Sequence, residues 1–269
     1  MVRGCHACRW RKRAPILLLG KSAHPLRGTL AHPRVPLGVG IYSRAEAGRL
    51  LKLSPQRLSR WVRGYTYWLK SGARPRRTRQ PPVVRTDLPT IEGTVALSFL
   101  ELMELRVVRG FVEKGVPLQR VRVAARRIAE MFDTPHPFAH RRVFTDHEEI
   151  FVGLSESGPQ PDLLQVTGRQ ASFQLIAGRL FEHYVEEMDF DATTSLAHRW
   201  FPMGRDVPVV LDPRIAFGAP VILGTRIRTD ILRLYASGNP EPAVARAFEI
   251  SAKEMSAAMA FEAQLAIAA

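Results

Sequence analysis

Residues 43–64, SRAEAGRLLKLSPQRLSRWVRG, read as two short helices joined by a tight turn. Ser43 and Glu46 have the spacing of a capping box, in which hydroxyl and carboxylate satisfy backbone N–H groups that the first helical turn leaves without partners. Ala47, Leu50, Leu51 and Leu53 supply the inward face. Ser54 caps the second helix, and Pro55 takes its first position, where the missing N–H costs nothing. Leu58, Trp61 and Tyr65 then recur at helical spacing as a buried stripe. The opposite face carries Gln56, Arg57, Arg60 and Arg63. Gln and Arg present forked groups that match base edges in the major groove, and Arg also grips phosphate through two parallel N–H donors. Spacing alone would fit a solvated two-helix packing unit equally well, and the distribution of charge tips the balance toward DNA.

Residues 1–86 hold 20 Lys+Arg against a single acid, Glu46, a net of +19. The remaining 183 residues hold 19 Lys+Arg against 24 acids, a net of −5, so the chain total of +14 hides two different objects. A basic block containing a helix-turn-helix pattern points to a polyanion, because each neutralised phosphate releases condensed counterions. The length of 269 residues, 46% of them hydrophobic, is enough for two modest cores. No run approaches the ~18 apolar residues of a membrane span. Cys5 and Cys8 are the only cysteines, which excludes a disulfide framework and fits a reducing cytoplasm.

Residues 1–38 read as a disordered basic tail that adds non-specific DNA affinity, or as a translated leader ahead of a natural start near Val39. The apolar run Ile16, Leu17, Leu18, Leu19 after Arg9, Arg11, Lys12 and Arg13 has no clean cleavage site behind it, which disfavours a secretion signal. Cys5, His6 and Cys8 lack a fourth zinc ligand at finger spacing, since His24 and His32 sit in Pro- and Gly-containing sequence. No metal and no cofactor is expected.

After the second helix, Tyr65, Thr66, Tyr67, Trp68 and Leu69 are expected to form one strand of a wing and Pro82, Val83 and Val84 the other, around a Gly- and Arg-rich tip. Lys70, Arg74, Arg76, Arg77 and Arg79 would contact the sugar-phosphate backbone and hold register without reading sequence. A flexible basic loop with no ligand is the plain alternative. Residues 94–131 give two amphipathic helices broken at Gly115 and Pro117, with Leu97, Leu100, Leu105, Val108 and Phe111 inward in the first. Val121, Ala124, Ala125 and Ile128 are inward in the second. Helix, turn, helix, wing and a helix pair reading LxFLELxxLRxxRxFxxKGVxLQRVR resemble the MerR-type winged-helix regulators over residues 41–131. The sequence departs from that family at Gly48, usually Ala, and at Lys52, often Gly; a left-handed Lys52 would cost about 1 kcal/mol. The family's long dimerisation helix and metal loop are missing.

Residues 132–206 form a connection: strands at Val143, Phe144 and at Ile150, Phe151, Val152, a loop over 153–161, and a helix over 168–188 running into the acidic stretch 186–191. His136, His140 and His147 beside Asp146, Glu148 and Glu149 resemble a metal site on paper, but Pro135 and Pro137 block helical spacing, so solvated side chains on a turn are expected. Residues 207–269 read as a small domain of short strands, at Val209, Val210, Leu211 and at Val221, Ile222, followed by three helices. Thr229 starts the first helix, Asn239 and Pro240 the second, and the Ser251–Glu254 capping box the third. The last two copy a helix-turn-helix outline, yet residues 229–269 carry three basic residues against five acids, which argues against a second DNA site. The expected fold class is therefore mainly α (α+β), a winged helix-turn-helix domain over 39–131 and a C-terminal three-helix bundle with short strands.

The segment 212–238, DPRIAFGAPVILGTRIRTDILRLYASG, closely resembles a domain-of-unknown-function family found in VapB-like antitoxins. Together with the MerR-like half and residues 199–205, RWFPMGR, it resembles the two-domain members of that group over residues 41–266. The resemblance implies a DNA-binding antitoxin of a bacterial toxin–antitoxin module that represses its own operon at a double-stranded operator and neutralises a PIN-like ribonuclease toxin. It also implies a cytoplasmic, nucleoid-associated homodimer without membrane attachment. PIN-like sites are acidic metal-binding clefts, so Arg226 and Arg228 are candidate cationic plugs against the plain reading of structural arginines; Met255 and Met259 are candidate contacts for a protein partner or a second copy of the chain, against the commoner reading of core residues. The alternative is a stand-alone MerR-like regulator whose C-terminal domain senses a ligand or partner. An enzyme is not expected: there is no P-loop, GxSxG, HExxH or dinucleotide fingerprint.

Overall fold

The computed structural model describes residues 38–69, 75–89, 95–141, 143–145, 150–153, 163–166 and 187–267. Expectations for the basic tail with Cys5 and Cys8, for Lys70 and Arg74, for the loop over 154–161, for His147 and its acidic neighbours, and for a helix over 168–186 lie outside the described residues.

Helix α1 (Arg44–Leu50) opens on the expected capping box: Glu46 N–H donates to Ser43 Oγ at 3.2 Å and Ser43 N–H to Glu46 Oε2 at 2.8 Å. The turn to α2 (Pro55–Arg63) runs through Lys52 at φ 49. Gly48 offsets that departure, because Leu53 N–H donates to its carbonyl at 2.9 Å and a Cβ at 48 would stand 3.1 Å from Leu53 O. Leu58, Trp61 and Val62 are buried, which turns the other face of α2 to solvent.

The hairpin consists of β2 (Tyr65–Leu69) and β3 (Arg76–Gln80), paired antiparallel from Tyr65 opposite Gln80 to Leu69 opposite Arg76. This corrects the expected wing. Its second strand is the arginine-bearing segment, while Val83 and Val84 are buried and both donate backbone N–H to Trp61 O. Two apolar valines are worth more under Trp61 than on a solvated ribbon, so the strand falls where the polar residues are.

Strand β1 (Tyr42–Ser43) pairs with β4 (Ala96–Leu97) and ties the first helix to the foot of α3 (Phe99–Glu113), which a second capping box, Ser98 with Glu101, starts. Helix α4 (Leu118–Phe132) follows the break at Gly115 and Pro117. Phe99, Leu102, Met103, Leu105, Val108 and Phe111 of α3 are buried, against Val121, Ala124 and Ile128 of α4. The small sheet of β5 (Val143–Thr145), β6 (Ile150–Gly153) and β7 (Leu163–Gln165) extends the two expected strands by a third. β8 (Met188–Phe190) and β9 (Ala197–Trp200) form a hairpin where an acidic helix end was expected, and Met188, Ala197 and Trp200 enter the same core as α3.

The C-terminal part pairs β10 (Val209–Val210) with β11 (Val221–Ile222) and continues through α5 (Thr229–Ala236), α6 (Glu241–Ala247) and α7 (Ala252–Ile267). Val209, Ile222, Leu232, Val244, Met255, Ala258 and Phe261 are its core. Asp212 is buried between Arg199 and Arg214. Burial pushes its carboxyl up, but hydrogen bonds from the two guanidiniums outweigh that and hold its pKa at about 2. The two halves meet directly: Tyr42 hydroxyl donates to Gly218 O at 2.8 Å and Ile41 N–H to Phe217 O at 3.1 Å. Gly218 has φ 85, and a Cβ there would stand 2.3 Å from the Tyr42 oxygen, so only glycine fits the joint.

Burial overturns the expectation of solvated histidines. His140 is buried and stacks on Phe132 at 4.1 Å between ring centroids. His136 is buried and bridges two carboxylates, Nδ1 to Glu104 at 3.2 Å and Nε2 to Asp87 at 3.3 Å. Glu104 also accepts Phe138 N–H at 3.3 Å, and Glu101 accepts the N–H groups of Asp87 and Ser98. Burial disfavours the charged imidazole, but the Glu104 hydrogen bond and the charges of Glu104, Asp87 and Glu101 outweigh it and raise its pKa above 6.5. Burial likewise raises the carboxyls of Glu104 and Glu101. A raised folded-state pKa gives stability that is fully present below the unfolded value and lost as pH rises through the folded value. Urea unfolding should therefore show wild-type stability falling as pH climbs from about 6.5, with that part of the slope absent in His136→Gln; parallel profiles would remove His136 as its source.

Candidate nucleic-acid interface

The buried stripe of α2 leaves Gln56, Arg57, Arg60 and Arg63 exposed on one face. The Arg60 guanidinium lies 5.6 Å from the Tyr65 ring centroid, a cation–π contact that orients it at the mouth of the hairpin. Gly64 makes the close join between helix and strand possible: its φ is 73, and a Cβ there would stand 2.3 Å from Gln80 O. The strands therefore leave the end of α2 at once, and Arg63 comes beside the hairpin arginines.

Strand alternation sorts the hairpin into two faces. Thr66 opposite Arg79 and Trp68 opposite Arg77 form one, and all four are exposed, Trp68 to 64%. The other holds Tyr65, Tyr67, Thr78 and Gln80, half-buried, with Arg76 exposed at its end. Arg63, Gly64, Tyr65, Thr66, Arg77 and Arg79 enclose an open cleft of about 440 Å³. Arg63, Arg77 and Arg79 thus bring three cationic side chains to one concavity, and guanidinium binds phosphate oxygens through paired N–H donors. Among the described residues no carboxylate pairs with Arg57, Arg60, Arg63, Arg76, Arg77 or Arg79, so their charge is unspent inside the chain.

Thr66 and Trp68 are the residues that sequence reasoning missed. The signal was there in the alternation of 65–69, but it could not be used until the partner strand was placed at 76–80 rather than 82–84.

The four residues assigned to a protein partner do not form one surface. Arg226 is exposed and lines a cleft of about 330 Å³ with Arg199, Asp212, Leu223 and Thr225. Arg228 is exposed but its guanidinium is paired with Asp230 at 2.6 Å. Met255 is only 2% exposed, so it packs the C-terminal core and is no surface contact, and Met259 is half-buried beside it. The mismatch comes from α7, whose alanine-rich sequence marks no inward face, so the pattern could not say which Met points in. Among the described residues no group of three or more His, Cys, Asp or Glu side chains is placed to hold a metal, and no helix is long and apolar enough to cross a membrane.

These features define a class: a helix-turn-helix protein with a cationic, solvent-facing second helix, an arginine-bearing hairpin and a separate helical C-terminal module. A family model described as "Putative DNA-binding HTH domain" matches residues 40–125, and one described as "Protein of unknown function (DUF433)" matches residues 209–261. The chain is 30% identical over 228 residues to "Putative antitoxin VapB45" of Mycobacterium tuberculosis, an alignment covering 81% of this chain and 91% of that one. The chain belongs to this family of VapB-like antitoxins, with a helix-turn-helix N-terminal part and a DUF433 C-terminal part. "Uncharacterized protein Rv2308" of the same organism is 23% identical over 221 residues, covering 80% and 87% of the two chains. The X-ray crystal structure of Rv2018 from M. tuberculosis shares the fold at a TM-score of 0.55 and 24% identity, over 84% of this chain and 100% of that one.

If Gly64 is fixed by sterics while Arg79 has no ion pair among the described residues, the two should separate on mutation. Gly64→Ala should cost about 2 kcal/mol or more through strain and collision with Gln80, whereas Arg79→Ala should stay within about 0.5 kcal/mol. Urea midpoints decide it, and equal midpoints would refute the division.

Proposed function

We propose that this chain is a DNA-binding antitoxin that represses its own operon as a homodimer in the cytoplasm and neutralises a PIN-like ribonuclease. One observation carries the DNA half: the exposed Gln56, Arg57, Arg60 and Arg63 on a rigidly docked helix, beside Arg77 and Arg79 on the hairpin. A helix of this width enters the major groove with Gln and Arg reaching base edges, while the hairpin follows the adjacent backbone. The cleft at Arg63, Arg77 and Arg79 then takes a phosphate and sets the register. A second copy of the chain would give the twofold symmetry that a palindromic operator requires. In this arrangement the unit resembles the MerR-type winged helices.

The toxin half rests on family membership and on the C-terminal surface. Of the two candidate arginines, Arg226, exposed on the turn after β11, is the one offered to an acidic metal-binding site, since Arg228 is already paired with Asp230. The direct joint through Tyr42 and Gly218 gives toxin binding a rigid route to the DNA-reading helix, the coupling that autoregulation needs. A second reading, a stand-alone regulator that senses a ligand, is favoured by the cleft of about 380 Å³ between α1, the 216–220 turn and α5 with α7.

For a base-reading Arg60, Arg60→Ala should weaken a specific operator by about 1–3 kcal/mol and relax its sequence preference. Arg77→Ala should weaken all sequences alike and lower the salt slope by about one. Gel shifts over a salt series check both, and unchanged affinity in the two variants would sink the interface. Co-expression with the neighbouring gene's product tests the antitoxin half. Co-purification together with relief of toxicity is the expected result, and recovery of the chain alone beside a harmless neighbour would remove that half.

A further inference from the structure

A cleft of about 890 Å³ separates the segment that follows β3 from one face of α4. Pro81, Pro82, Val83, Val123 and Ala129 give it an apolar wall, and Arg122 and Arg126 stand one helical turn apart along α4. Arg122 Nε donates to Pro81 O at 3.1 Å and so ties the helix to the segment. Its two terminal nitrogens are buried with no hydrogen-bond partner. N–H donors left unpaired below the surface cost free energy that a bound acceptor would return. Two carboxylates that also line the cleft are already committed, since Asp87 and Glu104 hold His136 at 3.3 and 3.2 Å. Glu130, the third carboxylate lining the cleft, is exposed to solvent four residues from Arg126.

We propose that this cleft binds a small amphiphilic anion, an apolar or aromatic body whose carboxylate, sulfonate or phosphate takes the two terminal nitrogens of Arg122. An apolar concavity with a few fixed polar groups is the ordinary form of a small-molecule site, and this volume suits one. The nitrogens lie below the accessible surface, but the Arg122 side chain as a whole is half-buried and Pro81 is exposed, so the anion reaches them as the guanidinium turns from Pro81 while Val83 stays bonded to Trp61. That segment leads directly from Gln80 at the base of the hairpin, so occupancy of the cleft and the placing of the hairpin arginines are linked. The site depends on neither the antitoxin nor the operator reading, and its test needs no toxin.

The test titrates the full chain with 8-anilinonaphthalene-1-sulfonate and with N-phenyl-1-naphthylamine, the same rings without the sulfonate, following probe fluorescence. The expected result is saturable binding of the sulfonate at one site, at least tenfold tighter than the neutral probe. Arg122→Met should reduce sulfonate affinity at least tenfold and leave the neutral probe unchanged. Arg122→Lys should restore part of the loss, and Ala129→Trp, which fills the cleft, should weaken both probes. Far-UV circular dichroism establishes that each variant is folded; should Arg122→Met not fold, Arg122→Lys and Ala129→Trp carry the test. No saturable sulfonate binding, equal affinity for the two probes, or an affinity indifferent to these substitutions overturns the site. Stoichiometric displacement of the sulfonate by duplex DNA of any sequence would give Arg122 to a DNA phosphate and overturn the small-anion assignment.

Discussion

Helix α3 is covered on nearly every side, and the rest of the N-terminal half is arranged around that fact. Apolar residues alone would have made it an ordinary core helix, but Glu101 and Glu104 are buried with them. A buried carboxylate is tolerated only where donors and a counter-charge surround it. Glu101 meets that demand with its own capping box and Asp87 N–H, and Glu104 with His136 and Phe138 N–H. The chain behind the hairpin and the turn after α4 are thereby fastened side by side on one face of the helix, where His136 bridges Asp87 and Glu104. Those two carboxylates specify where two otherwise irregular segments must lie.

The same helix holds the DNA-reading unit. Arg109 donates to Leu51 O at 2.6 Å, closing the end of α1 onto α3, and β1 with β4 closes its start. With α1 fixed, Leu58, Trp61 and Val62 have one place to go, and α2 is left with Gln56, Arg57, Arg60 and Arg63 in solvent. Cationic exposure here is a result of packing as much as of composition. The C-terminal part is added by a different device, the narrow glycine joint at Tyr42 and Gly218. Such a joint has no room to give, because a Cβ at 218 would meet the Tyr42 ring.

Much of this was legible in the sequence. Capping boxes at Ser43 and Ser251 mark helix starts through short-range hydrogen bonds, and the 3.6-residue recurrence of Leu58 and Trp61 marks a buried face. The break at Gly115 and Pro117 fell where it was expected for the same local reasons. The β8–β9 hairpin was illegible because its strands are three and four residues long and owe their conformation to Met188 and Trp200 reaching a distant core. The hairpin's second strand was misplaced because apolar Val83 and Val84 look more like a strand than RRTRQ does, and only Trp61 above them shows otherwise.

Sequence by itself therefore determined the helix-turn-helix, the helix pair, the three C-terminal helices and the segregation of positive charge to the first 86 residues. Each of these is written in contacts no more than a few residues apart, or in composition, which needs no fold at all. Only the tertiary structure decided that Arg63, Arg77 and Arg79 share one cleft, that Met255 is core, that His136 is an ion-pair bridge, and that Arg122 lacks partners for two of its nitrogens. Those outcomes depend on which distant groups arrive within about 3 Å of one another, the range over which hydrogen bonds form. Local periodicity holds no record of that distance.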